Sequence, residues 1–356
     1  MGRVVIHAGM PKTGSTSVQS WLVQNAAYLR ERYGIQIVVA SRAAAHGDAE
    51  VRLDTYEGGD RINSGPLITA WFEAGQSPPI AQRFVDEVAR YAAQHSMVLV
   101  TAEALSEPFW RVDEPFLGAF EQLAQGHPVR VAYYIRPQHT AIEAGWREEG
   151  YRLGYKAADY VAEFSKRLHY LSTFEAVETR APHVDFVMRP FRRDLLDGAS
   201  TVADFVRRFL QMSDDTPDPV ENPGLPLELV NLLRDAPNGW FWTRGHHEET
   251  YPRRELRQIF EGLDLDEAPP IRRSRRLLHE HCHDVFESEN QKLIARLDWP
   301  PGDFIPPPTE RLDPGWQLSE LDELWAGQAS PAERALFFHA LRTALDLRVA
   351  NAEERT

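Results

Sequence analysis

The stretch Ile6-His7-Ala8-Gly9-Met10-Pro11-Lys12-Thr13-Gly14-Ser15-Thr16-Ser17 constrains the fold of this chain more than any other. It follows the apolar run Val4-Val5-Ile6 and precedes an amphipathic pattern, so it reads as strand, tight glycine loop and helix start. The first N–H groups of a helix have no backbone acceptor, and the macrodipole favours negative charge there. Such a junction is a ready anion site. Against the phosphate-loop pattern G-x-x-x-x-G-K-S/T, Gly9, Gly14 and Thr16 fit, but Ser15 occupies the lysine position. The loop's lysine is Lys12, three residues early. That arrangement does not suit an ATPase. It suits a nucleotide whose reactive group hangs from its 5′-phosphate.

Further short runs rich in β-branched and aromatic residues predict strands at 4–8, 35–39, 97–101, 129–135 and 184–188. Helical periodicity lies between them, at Ser17–Tyr33, Ile80–Gln94 and Pro115–Leu123. Alternating strands and helices predict an α/β fold with a doubly wound parallel sheet flanked by helices. In such sheets the ligand crevice lies at the carboxyl ends of the strands. The stretch 40–76 lacks periodicity and reads as an irregular excursion with short helical pieces. The segment 213–226, rich in proline and aspartate, reads as a connector. Later helices are expected at Leu227–Arg234, Arg253–Glu261 and Ser274–Ala295, and Trp240–His247 concentrates aromatic residues and histidine. A helical C-terminal extension follows the proline cluster 300–308, with a capping box at Ser330-Pro331-Ala332-Glu333.

A second binding element is Val131-Ala132-Tyr133-Tyr134-Ile135-Arg136-Pro137, an apolar strand ending in arginine. A helix follows, with Thr140 and Glu143 spaced as a capping box. An arginine at a strand's carboxyl end faces the crevice, and its planar fork suits a phosphate.

The net charge of −14 argues against a general nucleic-acid binder. It also requires that any polyanionic ligand be met by local cations. No apolar run is long enough to span a membrane, and the short segment before Gly9 does not have the make-up of a signal peptide. The single cysteine, Cys282, excludes an internal disulfide and a cysteine-based zinc site, and fits a reducing cytoplasm.

The run Pro11-Lys12-Thr13-Gly14-Ser15-Thr16 resembles the 5′-phosphosulfate loop of the sulfotransferases, P-K-S/T-G-S/T-S/T. These enzymes use 3′-phosphoadenosine 5′-phosphosulfate (PAPS) and release adenosine 3′,5′-bisphosphate, with no metal expected. The resemblance implies a P-loop-type sheet and assigns the 5′-phosphate to Lys12, Thr13, Gly14, Ser15, Thr16 and Ser17. It places the Lys12 ammonium on the oxygen bridging phosphorus and sulfur, and Arg136 on the 3′-phosphate. The family's helix serine is replaced by Ala144. Gln138, His139, Thr140 and the basic run 272–276 are the residues that could substitute for it. The segment Val187–Phe191 with Asp204–Leu210, and Val285–Leu293, resemble later elements of the carbohydrate-type branch, within which Arg189 and Asn290 read as structural. The likeness runs through residues 3–305, taken as one domain, with 306–356 as a proline-rich segment and helical tail.

Sulfuryl transfer to a hydroxyl or amine needs a base near Lys12. The branch often carries Ser-x-Glu at a strand end, and Thr101-Ala102-Glu103 stands there. Glu103 is the first candidate, His7 the second and His139 the third. The expected acceptor is a glycan or small metabolite. Two rival readings are an ATP-dependent kinase-like enzyme and a non-catalytic nucleotide-binding protein.

Overall fold

The computed structural model describes residues 2–43, 50–58, 62, 78–147, 155–213, 269–300, 304, 312, 315–325 and 339 of the 356-residue chain. The strands are β1 (Arg3–His7), β2 (Ile35–Ala43), β3 (Glu50–Thr55), β4 (Met97–Thr101), β5 (Val129–Ile135) and β6 (Asp185–Pro190). The helices are α1 (Ser15–Tyr33), α2 (Pro78–Ala92), α3 (Ser106–Trp110), α4 (Glu114–Gly126), α5 (Gln138–Trp146), α6 (Ala157–Ser165), α7 (Tyr170–Arg180), α8 (Thr201–Phe205), α9 (Pro269–Leu297) and α10 (Glu320–Leu324). Two compact units result. One comprises Met1–Pro137, Arg167–Glu221 and Ser288–Phe304, the other Gln138–Lys166, Asn222–Glu287 and Ile305–Thr356.

The first unit is an α/β layer built on a six-stranded sheet in the order β3-β2-β4-β1-β5-β6. All neighbouring pairs are parallel except β2 with β3. β1 lies between β4 and β5, in registers that align His7 with Thr101 on one side and with Ala132 on the other. From β1 the chain lays down β2 and β3 on one side, returns to place β4 beside β1, and then adds β5 and β6 on the other side. The loops after β1, β4 and β5 therefore meet at one crevice, the topological switch point of such sheets.

Alternation along the strands sorts the core. Val5, Leu99, Ala132 and Tyr134 pack with Val18, Trp21 and Leu22 of α1 and with Val202 and Phe205 of α8. On the opposite face Tyr133 meets Phe109 and Phe186, and Phe84, Phe116 and Phe120 continue the aromatic layer. Each such aromatic contributes about 1.5–3 kcal/mol by leaving water. α1 begins at Ser15, two residues before its expected start, and ends at Gly34, whose φ of 64° permits the left-handed cap. α4 is capped by Asp113, whose side chain accepts from the Phe116 N–H at 3.1 Å.

Two expectations need correction. The excursion 40–76 is not wholly irregular, because β2 runs on to Ala43 and Glu50–Thr55 pairs antiparallel with it, Val38 opposite Thr55. β3 is an edge strand rich in charge, so it carries no apolar run to betray it. Its Leu53 is buried and accepts at its carbonyl from Tyr91 Oη at 3.2 Å. Thr140 and Glu143 do not form a capping box, because α5 already starts at Gln138.

The second unit explains why. Glu143 accepts from Arg275 Nε at 3.0 Å, from Arg275 Nη2 at 3.1 Å and from Arg147 Nη2 at 2.5 Å. Burial alone would raise the Glu143 pKa, but these two guanidinium groups outweigh it and hold the carboxyl below its usual range. In the same unit Trp146 stacks on Trp325 at 4.8 Å, and the Ala158 N–H donates to Asp322 Oδ1 at 3.1 Å. These contacts dock the tail's α10 on α6. The connector 213–226 beyond Ser213, the helices expected at Leu227–Arg234 and Arg253–Glu261, the cluster Trp240–His247 and the capping box at Ser330 lie outside the described residues. The helix expected at Ser274–Ala295 is α9, which starts at Pro269 with prolines in its first turn.

Among the described residues no helix is long and apolar enough to cross a membrane, and no group of three His, Cys, Asp or Glu side chains is placed to hold a metal. Cys282 is buried, and burial pushes its thiol pKa up.

Candidate active site

The loop from Ala8 to Gly14 is suspended from β5. The Ala8 N–H donates to the Ala132 carbonyl at 3.0 Å, and the Met10 N–H to the Tyr134 carbonyl at 3.0 Å. Lys12 has φ 67° and Gly14 φ 80°, while Thr13 between them is not left-handed. This alternation of hand turns successive N–H groups toward one concavity, a geometry that binds anions. A left-handed non-glycine residue costs about 1–2 kcal/mol, a strain concentrated at functional sites. Both glycines are required sterically. A Cβ on Gly14 would stand 2.8 Å from Thr201 Oγ1 and 3.0 Å from a ring carbon of Phe191, and one on Gly9 would stand 2.9 Å from Thr13 Oγ1.

The loop delivers the chain into α1, which has no side-chain cap at Gly14 and no acidic residue in its first turn. Its leading N–H groups are therefore directed at whatever the loop holds. The hydroxyl groups expected to line it diverge. Thr16 is exposed and Ser17 half-buried. Thr13 is fully buried, and its Oγ1 donates to the Met10 carbonyl at 2.6 Å. The hydroxyl of Thr13 thus closes the loop from within rather than facing outward, and what Thr13 presents to an anion is its N–H. Ser15 is also turned away, with Oγ donating to Glu103 Oε2 at 2.8 Å.

Glu103 opens a 3-10 turn directly after β4, and the preceding Ala102 N–H donates to the His7 carbonyl at 3.2 Å. The carboxylate is half-buried at the mouth of the crevice. α1 reaches β4 a second time one turn further on, where Gln19 Nε2 donates to Thr101 Oγ1 at 3.4 Å. Residues four apart on the helix, Ser15 and Gln19, thus meet residues two apart at the end of β4, Glu103 and Thr101, which fixes the loop against Glu103.

Arg136 follows β5. Its Nη1 donates to the Lys12 carbonyl at 3.0 Å, its guanidinium lies 5.3 Å from the centre of the Phe191 ring, and its own carbonyl accepts from Tyr170 Oη at 3.0 Å. The arginine is therefore seated on the loop itself.

His7 is placed otherwise than a base for an acceptor in the crevice would be. It is fully buried under the loop, against Phe205 and Tyr134, with Nδ1 2.9 Å from Thr101 Oγ1. Burial drives its pKa down to about 4, so the ring is neutral. Its Nε2 has no hydrogen-bond partner among the described residues. His139 lies in the second unit, edge-on to His279 at 4.6 Å. Gln138 is wholly buried there, and Arg275 of the basic run is engaged by Glu143.

Sequence reading missed the knot that holds the far side of the loop. Asp204 is fully buried and accepts from Arg189 Nη2 at 2.7 Å, Tyr134 Oη at 2.7 Å and the Asp197 N–H at 3.0 Å. The signal available was an aspartate inside the apolar run 202–210. Arg189 is structural in this arrangement.

Ser15 thus joins the start of α1 to Glu103, and Arg136 bonds the backbone of the same loop at Lys12. No family model, no curated protein and no solved structure matches this chain.

Proposed function

We propose that this chain is a sulfotransferase that takes the sulfonate of PAPS to a hydroxyl or amine of a glycan or small metabolite. The observation that carries the reading is the hydrogen bond from Ser15 Oγ to Glu103 Oε2, because it ties a base to the phosphate-type loop that bears Lys12. The specific P-loop fold belongs to the same proposal, supported by the glycine loop after the central strand and the switch-point topology.

The fit of a nucleotide to these residues rests on their chemistry. The loop N–H groups and the start of α1 supply donors, and Lys12 and Arg136 supply positive charge. The donor supplies an activated sulfonate. The chain's residues do the rest. The N–H groups from Thr13 to Ser17 hold the 5′-phosphate. Arg136 holds the 3′-phosphate. The Glu103 carboxylate takes the acceptor proton as the new oxygen–sulfur or nitrogen–sulfur bond forms. The bond from sulfur to the bridging oxygen breaks, and Lys12 stabilises the charge left on that oxygen. No metal enters this scheme, and a cytoplasmic site of action goes with it.

The test is turnover of labelled PAPS in the presence of a pool of glycan and metabolite acceptors. Transfer that vanishes in Glu103→Gln supports the reading. Hydrolysis of ATP–Mg²⁺ without sulfonate transfer would instead favour a kinase-like enzyme. Binding of the bisphosphate without turnover would favour a non-catalytic module.

A further inference from the structure

The mechanism above leaves one buried group unused, the His7 ring beneath the loop. Its bonding favours one place for its proton. Gln19 Nε2 can only donate, and it does so to Thr101 Oγ1 at 3.4 Å. Thr101 Oγ1 also lies 2.9 Å from His7 Nδ1. The arrangement that satisfies all three groups has the Thr101 proton on the bond to Nδ1. A neutral imidazole then carries its own proton on Nε2. The unpartnered atom is therefore a donor, and it is completely buried.

That donor faces the underside of the loop. The point where a Gly9 Cβ would stand is 3.3 Å from His7 Nε2 and 2.9 Å from Thr13 Oγ1. Both atoms thus border the space that the missing side chain of Gly9 leaves open. Thr13 already donates its proton to the Met10 carbonyl at 2.6 Å, so its oxygen retains the capacity to accept.

We propose that His7 is a positioning residue of the loop: when an anionic nucleotide seats there, His7 Nε2–H donates to Thr13 Oγ1 across the Gly9 gap. The bond completes a run from Gln19 through Thr101, His7 and Thr13 to the Met10 carbonyl, and so clamps the loop to both α1 and β4. Converging N–H groups bind an anion, and Thr13 lies between the left-handed Lys12 and Gly14, so a seated anion acts on the backbone that carries the Thr13 side chain. A neutral donor suits this place because it can be buried without a counter-charge. The inference rests on the reading that the loop holds a phosphate.

The experiment is long-range ¹⁵N–¹H spectroscopy of histidine-labelled protein, with His7→Gln for assignment. The free protein is expected to show His7 as the Nε2–H tautomer. Saturating adenosine 3′,5′-bisphosphate should move that proton downfield by more than about 1 ppm and slow its exchange, as for a newly formed hydrogen bond. Thr13→Val at saturating bisphosphate should abolish the shift. Thr101→Val should redistribute the tautomers. An Nδ1–H tautomer in the free protein, or a proton that does not respond to ligand, overturns the proposal. If calorimetry shows no bisphosphate binding, the donor reading has failed separately. Inorganic pyrophosphate then replaces the nucleotide in the same spectrum, and an unmoved Nε2–H rejects the clamp as well.

Discussion

Ser15 Oγ donates to Glu103 Oε2 at 2.8 Å, so a hydrogen bond joins the first residue of α1 to the second residue beyond β4. Ser15 stands where the phosphate-loop pattern has lysine, and its hydroxyl turns to the carboxylate rather than outward. Two variants separate its roles. Glu103→Gln should lower transfer by about two to four orders of magnitude, the usual worth of a positioned base. Ser15→Ala should lower turnover by about tenfold, roughly one hydrogen bond to a charged group, with little change in bisphosphate affinity. A large affinity loss in Ser15→Ala would make the serine a phosphate ligand instead.

Lys12 is strained backbone carrying a cation into a loop of an acidic protein. Lys12→Ala should reduce turnover by about two to three orders of magnitude, as for one lost group that stabilises developing charge. The fall should appear in kcat with a smaller change in KM for the donor. Unchanged turnover would remove Lys12 from the chemistry.

Arg136 bonds the loop backbone at Lys12 and is also assigned the 3′-phosphate. Arg136→Ala should weaken adenosine 3′,5′-bisphosphate by about 10–100-fold, the scale of a charged hydrogen bond lost. The loss for adenosine 5′-phosphate should be smaller, reflecting only the loosened loop. Calorimetry with both nucleotides decides, and equal losses would contradict the 3′ assignment.

His7 makes stability depend on pH. Burial lowers its folded pKa to about 4, whereas the unfolded chain takes the same proton near 6.5. Between those values the unfolded state binds more protons, so stability falls as pH drops. The expected slope from this group is up to about 1.4 kcal/mol per pH unit between pH 6 and 4. Urea titrations across that range check it, and His7→Gln should flatten the dependence.

Asp204 anchors Arg189, Tyr134 and the Asp197 N–H with no exposure to solvent. Asp204→Ala leaves a largely buried guanidinium without that partner and should destabilise the fold by about 3–5 kcal/mol. Denaturant midpoints measure it. A loss below about 1 kcal/mol would show the knot to be dispensable.

The parts of this architecture that were legible in the sequence are those written in local pattern. β1, β4 and β5 are continuous apolar runs, because strands covered on both faces have no polar side to show. Their carboxyl ends bear the glycine loop, Glu103 and Arg136, so these three segments were expected at one end of the sheet from the apolar pattern. β3 was hidden because an edge strand tolerates charge. The true partners of Glu143 were hidden because Arg275 lies far along the chain, and spacing within a helix reports only local neighbours. Side-chain direction was also beyond reach. Thr13 and Ser15 are the same kind of residue as Thr16 and Ser17, yet the first pair bonds inward, to Met10 and Glu103. The burial of His7 follows from its place at the end of the central strand, facing α8 rather than the crevice.

The central claim is that the loop after β1 is built for a 3′-phosphorylated adenosine nucleotide. Calorimetric titration of the wild-type chain with adenosine 3′,5′-bisphosphate, beside ATP–Mg²⁺, tests it most directly. The account predicts saturable one-to-one binding of the bisphosphate, at least about tenfold tighter than ATP–Mg²⁺, a difference of about 1.4 kcal/mol. Absence of bisphosphate binding, or equal or tighter binding of ATP–Mg²⁺, would contradict it.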